Sequence, residues 1–214
     1  MPLPMTTLIA SPGTRQYLKL RWSRTPYKEM SAILPKSGKI LDLGCGHGLL
    51  SLALVRESPE RQVFAVDHDA VRIELAKNAA PFAEKIQWIH GGFEFLEQSQ
   101  EQWQAIAMID VLHYFGPEDQ MRWLRAAFQK LDSKTGVLIF REIDPKSRSI
   151  WSWINRVYEK ISTFVGLTRA TTKHFIRTPE SWETLARQVG FTVESQPMTR
   201  IPFSDRIFVC RRTS

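Results

Sequence analysis

Short apolar runs recur along this chain, and the segments between them carry apolar residues at the spacing of an amphipathic helix. The runs are brief and rich in β-branched residues, which favours buried strands over buried helices. Strands that alternate with helices of about 10–15 residues are typical of a parallel α/β sheet. Seven strands are predicted, in the runs 40–41, 63–66, 86–89, 105–109, 136–140, 191–195 and 206–210.

The last two predicted strands alternate apolar and polar positions, which suits an antiparallel edge with one solvated face. A length of 214 residues suits one domain with a full core. We divide the chain into an N-terminal basic and aromatic helical segment, residues 1–35, and a main domain, residues 36–214. A helical lid is predicted as an insertion after the fifth strand, at about residues 145–178.

A glycine-rich turn between the first strand and the first helix is the most informative stretch: Asp42-Leu43-Gly44-Cys45-Gly46-His47-Gly48. Without Cβ atoms, such a backbone can turn sharply and lie against a flat ligand. The dinucleotide fingerprint Gly-x-Gly-x-x-Gly is the nearest competitor, but here the third glycine comes one residue early. Asp42 would also repel a pyrophosphate, whereas it could position an amino cation. An ordinary glycine-rich turn is the remaining alternative.

A second acidic element follows at the end of the second predicted strand, where the chain reads Asp67-His68-Asp69. An acid at this position is placed to accept hydrogen bonds from both ribose hydroxyls. A nicotinamide enzyme would use the same acid, so the element predicts nucleoside binding without separating the two cofactors. Asp69 precedes a predicted helix and is assigned to its N-cap, which leaves Asp67 for the ribose.

Together, the alternating glycines and the two acids resemble motifs I and II of the class I S-adenosylmethionine-dependent methyltransferases. The resemblance covers about residues 36–212. It implies an α/β, doubly wound, Rossmann-like sheet in the order 3-2-1-4-5-7-6 with strand 7 antiparallel, and S-adenosylmethionine as the cofactor. We predict cofactor contacts at Asp42, Gly44, Cys45, Gly46, Gly48, Asp67, His68, Gly92, Phe93, Asp110 and Val111.

One position departs from the family pattern. The family usually has an acid after the third strand, near the adenine amine, and Gly92 stands there in this chain. The amine would then meet Glu94 or a backbone carbonyl, and Phe93 would cover the ring. The departure leaves the adenine contacts open.

The catalytic candidates follow the fourth strand. Ligands in this architecture sit beyond the carboxyl ends of the strands, and His113 lies three residues past that end. A histidine of near-neutral pKa can take a proton from a phenol or hydroxyl acceptor; the alternative is a histidine that merely closes the loop. Tyr114 is predicted to position the acceptor. Arg141 and Glu142 either orient the acceptor or form a structural pair.

The net charge of +7 is uneven, with its excess in the N-terminal segment and the lid. The basic, aromatic lid has four interpretations: a solvated face, a surface for an acidic carrier protein or anionic substrate, a peripheral membrane contact, or a nucleic-acid contact. Nucleic acid is disfavoured because the fourth strand is not followed by the Asn/Asp-Pro-Pro-aromatic motif of amino-directed nucleic-acid methyltransferases, and no Pro-Cys pair is present.

The chain therefore predicts a methyltransferase for a small aromatic or acyl acceptor, free or on an acidic carrier protein. The alternatives are an RNA methyltransferase, a nicotinamide-dependent oxidoreductase, or a nucleoside-binding protein without turnover. Short segments such as Arg21–Tyr27 and Leu34–Gly38 look like small bacterial methyltransferases of aryl polyene and related fatty-acid-like pathways. With two cysteines, no metal cluster, no signal pattern and no apolar run of about 20 residues, we expect a cytoplasmic protein without a metal.

Overall fold

A computed structural model describes residues 11–79, 82–145, 174–198 and 205–212. Its centre is a seven-stranded sheet in the order β3-β2-β1-β4-β5-β7-β6. β7 runs antiparallel to both β5 and β6, and the other neighbours are parallel. The predicted strand order and antiparallel strand are therefore confirmed. The strands are β1 Gly38–Leu43, β2 Arg61–Asp67, β3 Ile86–His90, β4 Ala105–Ile109, β5 Val137–Ile143, β6 Phe191–Pro197 and β7 Asp205–Arg212.

Helices cover both faces of the sheet. They are α1 Pro12–Arg24, α2 Tyr27–Ile33, α3 Leu49–Glu57, α4 Ala70–Ala79, α5 Glu94–Gln98, α6 Pro117–Lys130 and α7 Pro179–Val189, with short 3-10 turns at Ala83–Lys85 and Leu112–Tyr114. The N-terminus of α4 is capped by a side chain, as the sequence predicts. Asp69 Oδ1 accepts from the amides of Val71 (3.0 Å) and Arg72 (3.3 Å), which confirms the predicted cap of α4.

The central strands are buried on both faces, which explains why they are continuous apolar runs. Along β1, Ile40 packs into one core and Leu41 into the other. Leu18 of α1 and Met30 of α2 belong to the same core as Ile40, so the N-terminal helices pack directly on the sheet. That packing brings α1 to the edge where the functional residues lie.

Most of the predicted lid, residues 146–173, lies outside the described residues, and so does the basic helix expected there. The described end of the insertion, residues 174–178, is neither helix nor strand and leads into α7. None of the helices in the described ranges is long and apolar enough to cross a membrane.

A buried arginine fixes the connection between α2 and β1 through hydrogen bonds to backbone carbonyls and a hydroxyl. Arg61 is 5% exposed. Its guanidinium donates to the carbonyls of Ser31 (2.8 Å), Leu34 (3.2 Å), Pro35 (2.7 Å) and Leu54 (2.9 Å), and to the Ser31 hydroxyl (2.6 Å). A guanidinium has five N–H donors in one plane, and here it bonds five acceptor atoms from four residues.

Arg61→Met should lower the free energy of unfolding by roughly 3 kcal/mol or more, because several buried carbonyls lose a charged donor. Urea unfolding of the variant measures the loss. Arg125→Met on the exposed face of α6 is the matched control and should change stability by less than about 0.5 kcal/mol. An equal, small effect for both variants would contradict the structural role of Arg61.

Candidate active site

The carboxyl ends of the parallel strands surround a cavity of about 380 Å³. A crevice at these ends is where ligands bind in open α/β sheets. Of the predicted site residues, those that line the cavity are Asp42, Gly44, Cys45, Gly46, Asp67, His68, Gly92, Phe93, Asp110, Val111 and Tyr114. Two predicted residues, Gly48 and His113, are not part of the lining.

The glycine turn is held against the end of β2 by backbone hydrogen bonds. The amides of Gly44 and Cys45 both donate to the Val66 carbonyl, at 2.8 and 3.0 Å. The next amide, that of Gly46, donates to Asp67 Oδ2 at 2.7 Å. These bonds fix the turn and the acid of β2 as one unit.

The three glycines of the turn have positive φ angles, but their surroundings differ. A Cβ on Gly44 would lie 2.6 Å from Val111 Cγ1, and one on Gly48 would lie 2.2 Å from the ring of Trp88. A Cβ on Gly46 would meet no heavy atom within 4 Å. Gly44 and Gly48 are therefore needed for packing, whereas Gly46 faces open space in the cavity.

Asp67 is 4% exposed and lines the cavity. Its Oδ2 accepts from the Gly46 amide, and its Oδ1 accepts from the Asp69 amide at 2.9 Å. A carboxylate offers about four lone-pair sites, so each oxygen keeps capacity for a ligand hydroxyl. This arrangement suits a ribose diol.

The environment of Asp42 differs from that of Asp67. Burial raises the pKa of Asp42 to about 6, against the lowering effect of its hydrogen bond from Ser51 Oγ at 2.5 Å. Five residues further along the glycine turn, burial lowers the pKa of His47 to about 4, and the nearby cations Arg72 and Arg21 lower it further. At neutral pH the cavity wall here carries a neutral imidazole and a carboxylate.

A buried group of charges stands at the end of β4. Arg141 donates through Nε to Asp110 Oδ1 at 2.8 Å and also pairs with Oδ2, while Arg21 Nη2 lies 2.9 Å from Oδ2. Burial alone would raise the pKa of Asp110, but Arg141 and Arg21 outweigh it and hold that pKa below its usual value. Arg141 also faces Asp205 at 3.5 Å, and burial raises the pKa of Asp205 to about 6.

The N-terminal helices supply cavity residues that sequence reasoning missed. Tyr17 and Arg21 of α1 and Tyr27 of α2 all line the cavity. Tyr17 and Arg21 are four residues apart and share one helix face. The basic and aromatic composition of this segment was visible in the sequence, but only its packing shows which side chains face the cavity.

The opposite end of the cavity is aromatic. The ring of Phe93 lies 4.5 Å from that of Phe115 and 5.2 Å from that of Trp123, between centroids. Such a wall suits a flat, apolar ring. The glycine turn, Asp67 and this wall lie around one cavity, which is the arrangement that a nucleoside requires.

His113 lies behind the cavity wall and is 1% exposed. Its Nδ1 is 2.6 Å from Glu142 Oε2, and Glu142 Oε1 accepts from the Leu112 amide at 2.8 Å. Tyr114, whose ring centroid is 4.2 Å from that of His113, lines the cavity. His174 contacts both rings, at 5.4 and 5.2 Å. The carboxylate thus orients the imidazole, and a catalytic role for His113 stays a prediction.

These residues fit S-adenosylmethionine: open space over Gly46, a carboxylate, Asp67, whose oxygens suit a ribose diol, and an aromatic wall that suits the base. A family model described as a methyltransferase domain matches residues 15–196, most of the chain. The chain belongs to this methyltransferase family. Family and fold together confirm the class I S-adenosylmethionine-dependent methyltransferase that motifs I and II resemble, and they favour it over the nicotinamide alternative.

Two curated methyltransferases are similar to part of the chain. The release factor glutamine methyltransferase of Neisseria gonorrhoeae (strain ATCC 700825 / FA 1090) is 35% identical over 77 residues, or 35% of this chain. The trans-aconitate 2-methyltransferase of Rhodopseudomonas palustris (strain HaA2) is 38% identical over 72 residues, or 32% of this chain. The matches span only 28% of the length of each relative.

Solved structures share the fold over nearly the whole chain. The pyocyanin biosynthetic protein PhzM superposes with a TM-score of 0.72 at 18% identity, covering 97% of this chain and 60% of that one. Magnesium protoporphyrin IX methyltransferase from Synechocystis PCC 6803, with bound SAH, superposes with a TM-score of 0.66 at 17% identity. The superposition covers 95% of this chain and 89% of that chain. At 18% and 17% identity, these similarities show a shared fold and not a shared acceptor.

Gly46→Val should weaken binding of S-adenosylhomocysteine by about 100-fold or more, because its side chain would fill the open space where the ligand lies. Calorimetry measures the affinity. Valine is also strained at a positive φ, so Gly190→Ala, which is strained in the same way at φ 115° outside the cavity, is the control. The control should lose stability and keep its affinity. Wild-type affinity in Gly46→Val would show that this turn is not the cofactor loop.

Proposed function

We propose that the protein transfers the methyl group of S-adenosylmethionine to a small-molecule acceptor. The observation that carries this proposal is the unit of Asp67 and the glycine turn, which opens over Gly46 into the cavity. When bound, the cofactor supplies a methyl group activated by a sulfonium. Methyl transfer is an in-line displacement, so the protein contributes chiefly alignment and the exclusion of water.

Each part of the cavity has a task in this proposal. Asp67 accepts the two ribose hydroxyls, and Asp42 faces the α-amino cation of the cofactor. Phe93 packs on the adenine ring. Tyr17 and Arg21 close the cavity from α1, and the bond between Arg21 and Asp110 holds that helix in place.

On the acceptor side, we propose Tyr114 as the group that positions the acceptor and His113 as the base. Support comes from Glu142, which orients the imidazole at 2.6 Å, and from the contact of both rings. A base is needed only for an acceptor that still carries its proton at the reaction pH. For a phenol or hydroxyl, the imidazole would take that proton, which requires the acceptor to reach past the cavity wall behind which His113 lies.

A small aromatic or acyl acceptor, free or on an acidic carrier protein, is the acceptor class that we propose. Tyr17, Tyr27, Tyr114 and Phe115 give the cavity an aromatic lining, and a net charge of +7 would attract an acidic carrier. Several structures of the same fold are named for small-molecule methylation, among them the mitomycin 7-O-methyltransferase MmcR. A place in an aryl polyene or related bacterial pathway is the narrower proposal.

Two measurements on the purified protein test the function. Calorimetry with S-adenosylmethionine, S-adenosylhomocysteine, NAD and NADP should show binding of the first two only. Methyl transfer to a panel of phenols, hydroxylated aromatics, carboxylic acids and their carrier-bound thioesters is then followed by mass spectrometry. Binding of NAD or NADP in preference to S-adenosylhomocysteine would overturn the proposal. Methylation of RNA alone would favour the nucleic-acid alternative.

The pH dependence of cofactor binding should report Asp42. With a pKa of about 6, its carboxyl is neutral at pH 5 and charged at pH 7.5, and only the charged form attracts an ammonium. The affinity for S-adenosylhomocysteine should therefore rise with pH through about 6, and Asp42→Asn should bind more weakly and lose this rise. Asp205 has a similar pKa of about 6 but does not line the cavity, so Asp205→Asn should keep the rise. The same profile in Asp42→Asn and the wild type would contradict the assignment.

For a phenol or hydroxyl acceptor, His113→Ala should reduce turnover by roughly 100-fold or more, while the affinity for S-adenosylhomocysteine stays near that of the wild type. The pH–rate profile should lose its ascending limb. Glu142→Gln should cause part of the same loss, because it leaves the imidazole less well oriented. His90→Ala, an exposed histidine outside the cavity lining, should leave turnover unchanged. An active His113→Ala enzyme with an unaltered profile would assign His113 to the structure of the loop.

A further inference from the structure

Gln120 of α6 is a fully buried polar residue outside the cavity: it is 0% exposed and does not line the cavity. Its amide nitrogen donates to the carbonyl of Leu112 at 3.1 Å and to that of Phe175 at 2.8 Å. Its amide oxygen accepts from Arg177 Nε at 2.5 Å. A glutamine side chain has two N–H donors and an acceptor oxygen, and here each of these groups is engaged.

These hydrogen bonds join two segments that lie far apart in the sequence. Leu112 belongs to the 3-10 turn Leu112–Tyr114, which follows β4. Phe175 belongs to residues 174–178, which we call the return segment because they lead from the insertion into α7. The Phe175 amide also donates directly to the His113 carbonyl at 2.8 Å. The turn and the return segment are therefore in contact, and Gln120 bridges them from α6.

The return segment packs on the acceptor side of the proposed site. The ring of His174 lies 5.2 Å from that of Tyr114 and 5.4 Å from that of His113, between centroids. Tyr114 in turn lines the cavity. His174 thus supports from behind the ring that we propose to position the acceptor.

Two buried side chains from neighbouring elements hold the turn. Glu142 of β5 accepts from the Leu112 amide and orients the His113 ring. Gln120 of α6 donates to the Leu112 carbonyl and also holds the return segment. Because Glu142 contacts His113 itself, loss of the Gln120 amide should leave the imidazole in place and release the return segment from the turn.

We propose that Gln120 is a positioning residue for methyl transfer: it holds the return segment against the turn and so keeps the Tyr114 ring in place for the acceptor. The inference rests on the proposed function. Gln120 lies outside the cavity lining, so it acts through Tyr114 and not by contact with the acceptor. A reaction that depends on in-line alignment is sensitive to small shifts of the group that places the acceptor.

Nuclear magnetic resonance tests the placement of the return segment without an acceptor. In the wild type with S-adenosylhomocysteine, nuclear Overhauser effects should link the rings of His174 and Tyr114. Gln120→Met has a side chain of similar length without N–H donors, so it should lose these effects. Gln129→Met, the same substitution at an exposed position of α6, should keep them. Effects of wild-type strength in Gln120→Met would show that other contacts hold the segment, and would overturn the inference.

Kinetics with the best acceptor among the phenols and hydroxylated aromatics test the consequence for the reaction. Gln120→Met should raise the KM for the acceptor by about 10-fold or more, while the affinity for S-adenosylhomocysteine stays near that of the wild type. A merely structural role would reduce the active fraction, which lowers kcat and leaves this KM unchanged. Gln129→Met should match the wild type in all three quantities.

A second variant keeps the test decisive if Gln120→Met does not fold. Gln120→Glu keeps the size of the side chain and the bond from Arg177, but a carboxylate has no N–H donor for the two carbonyls. It should show the same loss of ring contacts and the same rise in the acceptor KM. An unchanged acceptor KM in a folded Gln120 variant would overturn the inference and leave cofactor binding intact. A wild type that binds no S-adenosylhomocysteine would overturn the proposed function, and this inference with it.

Discussion

The hydrogen bond from the Gly46 amide to the Asp67 carboxylate, at 2.7 Å, is the constraint on which the site depends. It ties the glycine turn after β1 to the end of β2, with the Val66 carbonyl holding the two preceding amides. The register of the sheet, in which Leu43 is paired with Val66, sets this meeting point. A slip of one residue would turn Asp67 to the other face of the sheet, so the core packing that fixes the register also fixes the site.

A second constraint is the buried charge group at the end of β4. Asp110 adopts a φ of 58°, unusual for a residue other than glycine. Arg141 from β5 and Arg21 from α1 both bond its carboxylate. The group therefore joins the sheet to the N-terminal helix. Because α1 supplies one wall of the cavity, this electrostatic contact links the packing of the N-terminal segment to the shape of the site.

The fold could be predicted because its signals are local. Central strands buried on both faces are continuous apolar runs, and the turn at Gly46 needs glycine for its positive φ. The remaining features depend on contacts between distant segments. Gly48 is required by the Trp88 ring of β3, and Arg21 reaches Asp110 across 89 positions of the chain. The pattern within one strand or helix carries no information on such contacts, so it indicated neither the packing of Gly48 on Trp88 nor the place of Arg21 at the cavity.

The central claim is that Asp67 holds the ribose of the cofactor, and calorimetry of Asp67→Ala with S-adenosylhomocysteine tests it most directly. Two charge-assisted hydrogen bonds, each worth roughly 1.5–3 kcal/mol, should be lost, so the affinity should be weaker by at least about 100-fold with the fold intact. Asp69→Ala, which loses the cap of α4, should lose stability and keep its affinity. An unchanged affinity for Asp67→Ala would contradict the account.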